Sequence, residues 1–493
     1  MKITLRKLCV FLIMTILCIA HTFGYAQPPD TLWTRWFGGS GEDYGFDVEE
    51  CVDGFIVVGQ TASFSSGESD AYVVRIDLDG DTVWTRAYGG EGREQAHSVV
   101  QVADSYVFSG YTSTNAQGIA DMYLVKFNAD GDTIWAKQYD AHGSTDQGYC
   151  IMQTSDEGFI IAGFATKYGY GDQVYLVKTD ANGNFVWDTT YGGTNQDYAR
   201  SVQQTHDGGY IVAGYSYSFG AGDADIWLLR INSSGDTLWT RTYGSPNGDE
   251  HAFDILLAPD SGYIIIGTTE SFGSGPYDVY VIRTEADGDT VWARWFGGTS
   301  ADDGQAAYQT NDGNIVIVGS TYSYGLGESD VYLLKIDMDG NLIWYTTYGG
   351  VYHDFAYAIR QTSDDEYIIA GRTRSFGAGQ SDVYVIRTGP DHGISEGKSS
   401  GVISFYMQVS PNPFRKKTDI SFGGEHGAKS VELKIYDAVG RLVKQWDYPT
   451  IGLSDYITWD GYDDQCKRLP SGVYFLKFQN GNCSAAEKVL LIK

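Results

Sequence analysis

Residues 197–244, DYARSVQQTHDGGYIVAGYSYSFGAGDADIWLLRINSSGDTLWTRTYG, hold four strand-like segments separated by turn residues. Segment 198–205 mixes small and apolar residues, and segment 209–214 is a nearly continuous apolar run, which is typical of a strand buried on both faces. Segments 225–231 and 237–243 alternate apolar with polar side chains, and a Gly-Asp turn of the hairpin type joins them. This stretch therefore predicts one small four-stranded antiparallel sheet.

The same pattern repeats along the chain with steps of 51 to 53 residues. One tryptophan marks each repeat: Trp33, Trp84, Trp135, Trp187, Trp239, Trp292 and Trp344. A glycine that ends the apolar run recurs with the same period: Gly59, Gly110, Gly163, Gly214, Gly267, Gly319 and Gly371. Because two independent series share one period, the sequence predicts seven copies of the same sheet.

The two ends of the repeat array complement each other. The segment around Trp33 has the composition of an outer strand and no inner strands before it, whereas the seventh unit stops at 382–387 without a Trp segment. Four short strands per unit, repeated around an axis, are the β-propeller arrangement. We therefore predict an all-β fold, a seven-bladed β-propeller with four strands per blade, in which the N-terminal strand closes the last blade.

The N-terminus predicts export. Lys2, Arg6 and Lys7 precede an apolar run at 8–20, which is typical of a secretory signal peptide, here residues 1–26. No later stretch is apolar enough to predict a membrane span once this segment is removed.

The charge of the chain is unevenly distributed. Residues 27–404 hold 19 Lys and Arg against 53 Asp and Glu, whereas residues 405–493 hold 12 against 10. An acidic body of this kind repels polyanions, so we expect no nucleic acid among the partners.

The repeat resembles the seven-bladed β-propeller repeats called SBBP. The likeness is carried by Gly192-Gly193, by Asp197-Tyr198-Ala199 and by residues 207–214, and it extends over residues 30–388. The resemblance implies a propeller in an exported protein, and no particular activity. We place the propeller at residues 27–391, followed by a polar linker at 392–404.

After the linker the repeat is gone, and strand-like segments predict a small Ig-like β-sandwich at residues 405–493. This part resembles the type A C-terminal sorting domain of the type IX secretion system, which is similar to FlgD-like Ig domains. The residues that carry the likeness include Pro411, Asn412, Pro413, Gly440, Arg441, Gly472, Tyr474 and Lys493. The resemblance implies a secretion translocon as a partner and a cell-surface or extracellular location. A structural Ig-like module without a role in export is the alternative.

Two cysteines of this domain, Cys466 and Cys483, lie close together in the sequence of an exported domain. A disulfide between them and a free pair are both compatible with this spacing.

Each repeat places a carboxylate at the start of its first strand. These seven ring acids are Asp43, Glu94, Asp146, Asp197, Glu250, Asp302 and Asp354. Arranged in a ring, they are candidates for a structural Ca²⁺ at one mouth of the channel, since carboxylate oxygens suit calcium. The competing interpretation is that each acid binds backbone amides of its neighbour and serves the blade itself, and then no cofactor is expected.

Function is expected where the blades differ. The third residue after each ring acid varies, as does the residue after each glycine that ends the apolar run. From these positions we predict a ligand-binding cluster of His97, Arg200, Tyr215 and Arg372.

The sequence contains no metalloprotease motif, nucleophile elbow, phosphate-binding glycine loop or paired-cysteine metal site, so no catalytic residue is predicted. We therefore expect a non-enzymatic binding or adhesion propeller for a glycan or protein ligand. The alternative is an extracellular glycoside hydrolase, lyase or peptidase that uses paired carboxylates.

Overall fold

The computed structural model describes residues 28–114, 119–141, 143–391, 406–410, 416–423, 430–437, 441–449, 455–465, 467–480 and 483–492. These residues fall into two compact units, one before and one after the predicted linker. The signal peptide and the linker themselves lie outside the described residues. Within those ranges no helical segment has the length and apolar character that a membrane crossing requires.

The first unit consists of seven four-stranded antiparallel sheets, the blades, which follow one another in chain order. The first strands of the blades are Asp43–Cys51, Glu94–Val102, Asp146–Gln153, Asp197–Gln204, Glu250–Leu257, Asp302–Gln309 and Asp354–Gln361. The second strands are Gly54–Thr61, Ser105–Thr112, Phe159–Lys167, Tyr210–Ser216, Tyr263–Thr269, Ile315–Thr321 and Tyr367–Thr373. The seven-bladed propeller predicted from the sequence is thereby confirmed.

The outer half of each blade is built by a third and a fourth strand. The third strands are Asp70–Asp77, Asp121–Asn128, Gly171–Thr179, Asp225–Ile231, Asp278–Thr284, Asp330–Ile336 and Asp382–Thr388. The fourth strands of blades one to six are Thr82–Tyr88, Thr133–Tyr139, Phe185–Tyr191, Thr237–Tyr243, Thr290–Phe296 and Leu342–Tyr348. The second strands are almost wholly buried and the fourth strands mostly exposed, as their sequence patterns predict.

The fourth strand of the seventh blade comes from the start of the propeller. Thr31–Phe37, the closing strand, pairs antiparallel with Asp382–Thr388. The amide of Gly389 donates to the carbonyl of Asp30 at 2.7 Å. In the continuous hairpin of the first blade, the equivalent bond runs from the Asp77 amide to the Asp81 carbonyl. The seventh blade thus reproduces a hairpin from two distant parts of the chain.

Neighbouring blades are joined by apolar clusters and by the tryptophans of the repeat. Apolar residues of two adjacent blades form each shared cluster, and the last blade packs on the first in the same way. The indole N–H groups of Trp33, Trp84 and Trp292 donate at 2.9–3.1 Å to a carbonyl in the outer hairpin of the next blade. Each of these tryptophans therefore links its own blade to the following one.

The second unit consists of two sheets. One contains Tyr406–Ser410, Thr418–Gly423 and Asp455–Trp459. The other contains, in spatial order, Leu442–Pro449, Ser430–Asp437, Gly472–Asn480 and Cys483–Leu491. Buried residues of both sheets share one core, which includes Ile420, Leu433, Ile435, Trp459, Tyr474 and Leu476. Cys466 lies outside the described residues, so the structure tests neither the disulfide with Cys483 nor the free pair.

Candidate functional site

A β-bulge in the first strand of every blade shapes the centre of the propeller. In the fourth blade, Ala199 pairs with Gly214 and Ser201 with Ala213, so Arg200 has no partner in the register. The equivalent bulged residues, here called the bulge ring, are Phe46, His97, Tyr149, Arg200, Phe253, Gln305 and Tyr357. Because a bulge re-aims a side chain, these seven residues, which vary from blade to blade, are directed to a common centre.

Members of the bulge ring pack on one another. The ring of Phe46 stacks on His97 at 5.0 Å between centroids, and His97 meets Tyr149 edge to face at 5.0 Å. The guanidinium of Arg200 lies over the Tyr149 ring, 4.2 Å from its centroid. Burial lowers the pKa of His97 to about 3, with a further contribution from the charge of Arg200, so His97 is neutral at physiological pH.

The four predicted ligand-binding residues are only partly brought together. The guanidinium of Arg200 donates to the hydroxyl of Tyr215 at 3.3 Å, and both Arg200 and His97 contact Tyr149. Arg372, in contrast, lies over the rings of Tyr44 and Phe355, at 4.7 and 4.5 Å from their centroids. A shared site for all four residues stays a prediction.

A cavity of about 350 Å³ lies in the centre of the propeller, with the bulge ring as part of its wall. Its other lining residues include Asp47, Glu49, Asp254, Tyr308 and Arg360. The Asp47 and Asp254 carboxylates accept backbone amides from the next blade at 3.0 Å, so both serve to join first strands. The cavity thus combines aromatic walls with a polar group set that differs from blade to blade.

Glu49 is an acid of this cavity whose pKa is shifted by its surroundings. Burial raises the pKa of Glu49 to about 7, an effect that the Arg360 guanidinium opposes and Asp47 reinforces. The Nε of Arg360 lies 3.6 Å from Glu49, and its Nη2 lies 3.0 Å from Asp47. At neutral pH the Glu49 carboxyl can therefore exchange a proton.

The seven ring acids lie between neighbouring blades and are 0–1% exposed. One carboxylate oxygen of each accepts a backbone amide from the preceding loop, at 2.7–2.9 Å. In five blades a second-strand hydroxyl donates to the other oxygen: Thr61, Thr112, Ser216, Thr269 and Thr321. These hydrogen bonds agree with the interpretation in which each ring acid serves the blade itself. Cation binding by the whole ring stays a prediction.

A second carboxylate faces the ring acid at most blade junctions, from the start of the third strand of the preceding blade. At the junction of blades six and seven, a Cβ added to Gly349 would lie 1.9 Å from Asp330 and 2.7 Å from Asp354, so both acids border the same glycine. The buried Oδ1 atoms of both acids have no hydrogen-bond partner among the described residues. Burial, reinforced by the Asp354 charge, raises the pKa of Asp330 to about 7.

Replacing Asp330 with Asn should stabilise the propeller at pH 8 and have less effect at pH 5. The folded state binds more protons than the unfolded state between the ordinary aspartate pKa and about 7, so the free energy of unfolding falls as the pH rises through that interval. An amide removes this dependence, and its N–H₂ can donate to Asp354. We expect a gain of about 1–2 kcal/mol at pH 8 by denaturant unfolding.

The matched control is Asp364→Asn, which removes one negative charge at an exposed position. It should change the free energy of unfolding equally little at both pH values. Gln173 at the equivalent position of the third blade indicates that an amide fits this site, because its side-chain N–H₂ donates to the carbonyl of Asn195 at 2.8 Å. Equal pH dependence in wild type and Asp330→Asn would rule out Asp330 as a source of the effect.

The comparison with known families decides the nature of the second unit. Residues 408–493 match the family described as a secretion system C-terminal sorting domain. The second unit is a type IX secretion sorting domain. The protein is therefore exported to the cell surface or the extracellular space. A second family, described as a domain of unknown function (DUF5122) beta-propeller, matches residues 310–342 in the sixth blade.

Within the sorting domain, three of the predicted motif residues are described. Arg441 pairs with Asp437, with Nη2 2.9 Å from the carboxylate. Gly472 begins a strand, and the hydroxyl of Tyr474 donates to the Pro470 carbonyl at 2.7 Å while its ring packs on Trp459. The other motif residues lie outside the described ranges: Pro411, Asn412, Pro413, Gly440 and Lys493.

Two curated proteins are similar to parts of the chain. Regulatory protein FlaEY of Caulobacter vibrioides is 24% identical over 233 residues, which cover 41% of this chain and 23% of that protein. The uncharacterized WD repeat-containing protein L264 of Acanthamoeba polyphaga mimivirus is 19% identical over 376 residues, which cover 53% of this chain and 27% of that protein. The chain thus spans about a quarter of the length of these relatives.

Among solved structures, PorZ, a surface component of the type IX secretion system of Porphyromonas gingivalis, is similar with 13% identity and a TM-score of 0.37. That match covers 90% of this chain and 69% of PorZ. A fungal alcohol oxidase of the AA5 family, in complex with copper, is similar with 11% identity and a TM-score of 0.45, covering 95% of this chain and all of that one.

Proposed function

We propose that the protein is a non-enzymatic binding propeller that type IX secretion delivers to the cell surface or the medium. The observation that carries the proposal is a sorting domain that follows a closed propeller. The sorting domain is nearly neutral, with 12 Lys and Arg against 10 Asp and Glu, whereas its cargo is strongly acidic. This difference makes the sorting domain a separate recognition surface on the same chain.

The ligand in this proposal binds at the central cavity. The side chains that differ between blades meet there, and Arg360, Glu49 and Tyr308 offer a cation, an acid and an aromatic face. A small set of convergent polar groups among aromatic walls is the usual composition of a ligand pocket. The buried ring acids, in contrast, are held by backbone amides and hydroxyls, which supports a role in the scaffold.

The test of delivery compares full-length protein with a truncated chain that ends before Ser410, both expressed in a bacterium that has a type IX secretion system. We expect the full-length protein in the surface and medium fractions and the truncated chain in the periplasm. Fusion of residues 1–26 and 405–493 to the two ends of an unrelated folded cargo is the control, and it should bring that cargo to the surface or the medium. Equal surface levels of the two chains would overturn the proposal.

The enzymatic alternative is supported by one observation, the raised pKa of Glu49, which suits a general acid. Hydrolysis needs a second, available carboxylate, and Asp47 is already engaged by the Val99 amide and by Arg360. Purified protein should therefore leave intact any glycan that it binds on an immobilised glycan array. Release of reducing ends from a bound glycan, abolished in Glu49→Gln, would favour a hydrolase instead.

A further inference from the structure

One blade junction departs from the other six. At the point where the chain enters a new blade, the residue beside the ring acid is a glycine at six junctions: Gly38, Gly89, Gly192, Gly244, Gly297 and Gly349. Five of these glycines border two facing acids, and Gly192 borders Asp197 and Gln173. Between blades two and three this position is Asp140, in the sequence Tyr139-Asp140-Ala141. A third carboxylate therefore extends from the position at which every other junction has no side chain.

The ring acid of the same junction has also lost its hydroxyl donor. Asp146 pairs in register with Ala165, whereas the equivalent residue in the other blades is Ser or Thr. The amide of Ala141 still donates to Oδ2 of Asp146 at 2.8 Å. Oδ1 is buried and finds no hydrogen-bond partner among the described residues, and Asp146 as a whole is 0% exposed.

The substitutions bring three carboxylates into the geometry of a cation site. Asp121, Asp140 and Asp146 each offer an oxygen, and these three atoms lie within 4.8 Å of one another. Two ligands of one calcium ion, each at about 2.3–2.6 Å, stand at most about 5 Å apart. We propose that Asp121, Asp140 and Asp146 bind one Ca²⁺ ion at the junction of blades two and three.

Electrostatics at this junction favours the same ion. Asp146 is 0% exposed, and Asp121 and Asp140 place two further carboxylates beside it, so the three charges repel one another. A divalent cation would offset that repulsion and satisfy the buried Oδ1 atom. Because Asp140 is exposed and Asp121 half-buried, solvent and ions have access to the cluster. All three ligands are carboxylates, the donor type that calcium prefers.

The junction of blades three and four shows how a ring acid is held where no third carboxylate is present. Between blades three and four, Gln173 replaces the second acid, so Asp197 stands alone there, with Ser216 and Ser218 hydroxyls on its two oxygens. At the junction of blades two and three, Lys167 stands where the other blades have Ser or Thr. Its ammonium lies over the Tyr170 ring, 4.9 Å from the centroid. Among the seven described junctions, the gain of a third carboxylate is thus confined to the junction of blades two and three. The proposal is independent of the proposed ligand and secretion route.

The test titrates CaCl₂ into purified full-length protein that has been treated with EGTA, by isothermal titration calorimetry and by thermal unfolding. We expect one bound ion per chain and a higher melting temperature with calcium. Asp140→Gly restores the residue of the other six junctions and should weaken binding at least about tenfold, since it removes one of three charged ligands. Ala165→Thr should also weaken binding, because the new hydroxyl can donate to Oδ1 of Asp146.

Asp382→Asn is the matched control, because it removes an acid at a junction that keeps its glycine, Gly38. Its calcium affinity should equal that of the wild type. Folding of both test variants is checked by their unfolding midpoints in EGTA, where Asp140→Gly should match or exceed the wild type. Absence of calcium binding by the wild type, or equal affinity in Asp140→Gly, would overturn the proposal.

Discussion

Replacing Gly214 with alanine is expected to destabilise the propeller by about 3 kcal/mol, because the new methyl group has no space. A Cβ at this position would lie 1.8 Å from the carbonyl oxygen of Tyr198 and 3.0 Å from the Cα of Ala199. Both contacts are with the backbone of the adjacent first strand, at the bulge that positions Arg200. Relief of the clash would therefore separate two inner strands of the sheet.

The effect is measured by urea unfolding followed by tryptophan fluorescence. Gly389→Ala is the matched control, since the nearest atoms to its added Cβ are 3.7 Å and 3.9 Å away. That substitution should change the free energy of unfolding by less than about 0.5 kcal/mol. If the two variants unfold at the same urea concentration, the close approach of first and second strands is not what requires glycine.

Deletion of residues 28–37 is expected to cost at least about 5 kcal/mol of stability, since it removes a whole strand of paired hydrogen bonds and an apolar contact. The closing strand pairs along its length with Asp382–Thr388. Its Trp33 packs edge to face on Phe55 of the first blade and donates to the Leu78 carbonyl. Without it, the seventh blade has three strands and an unpaired edge.

Thermal unfolding and size-exclusion chromatography of the deleted chain provide the measurement. We expect a lower melting temperature and association between copies through the open edge. A synthetic peptide of residues 28–37, added in excess, should restore part of the lost stability, because an added strand can pair with an exposed sheet edge. An unchanged melting temperature after deletion would show that closure contributes little.

The repeat made most of the fold predictable from sequence. Every blade has the same buried run and the same outer tryptophan, so the two series of residues give the number of blades. They also place the strands within one or two residues, as with the predicted 209–214 and the observed Tyr210–Ser216. The pairing of the closing strand followed from the same count.

The candidate sites were predictable only in part. That variable residues share a centre follows from the repeat, but which of them touch depends on their angular separation in the ring, and Arg372 in blade seven is far around it from Arg200 in blade four. Asp140 was missed, although the change from Tyr-Gly-Gly to Tyr-Asp-Ala in one repeat is visible in the sequence. Its part in a cation site could not be inferred from the sequence, because the other two acids, Asp121 and Asp146, come from two different blades.

Closure by a distant strand also sets the order in which the molecule can form. Each inner hairpin joins residues that are close in sequence, but Thr34 meets Ile386 only after all the intervening blades exist. Closing so long a loop costs roughly 3 kcal/mol more chain entropy than closing a hairpin. The last pairing is therefore expected to be the slow step of folding, and two unfinished chains that exchange their first strands would form a domain-swapped dimer by the same contacts.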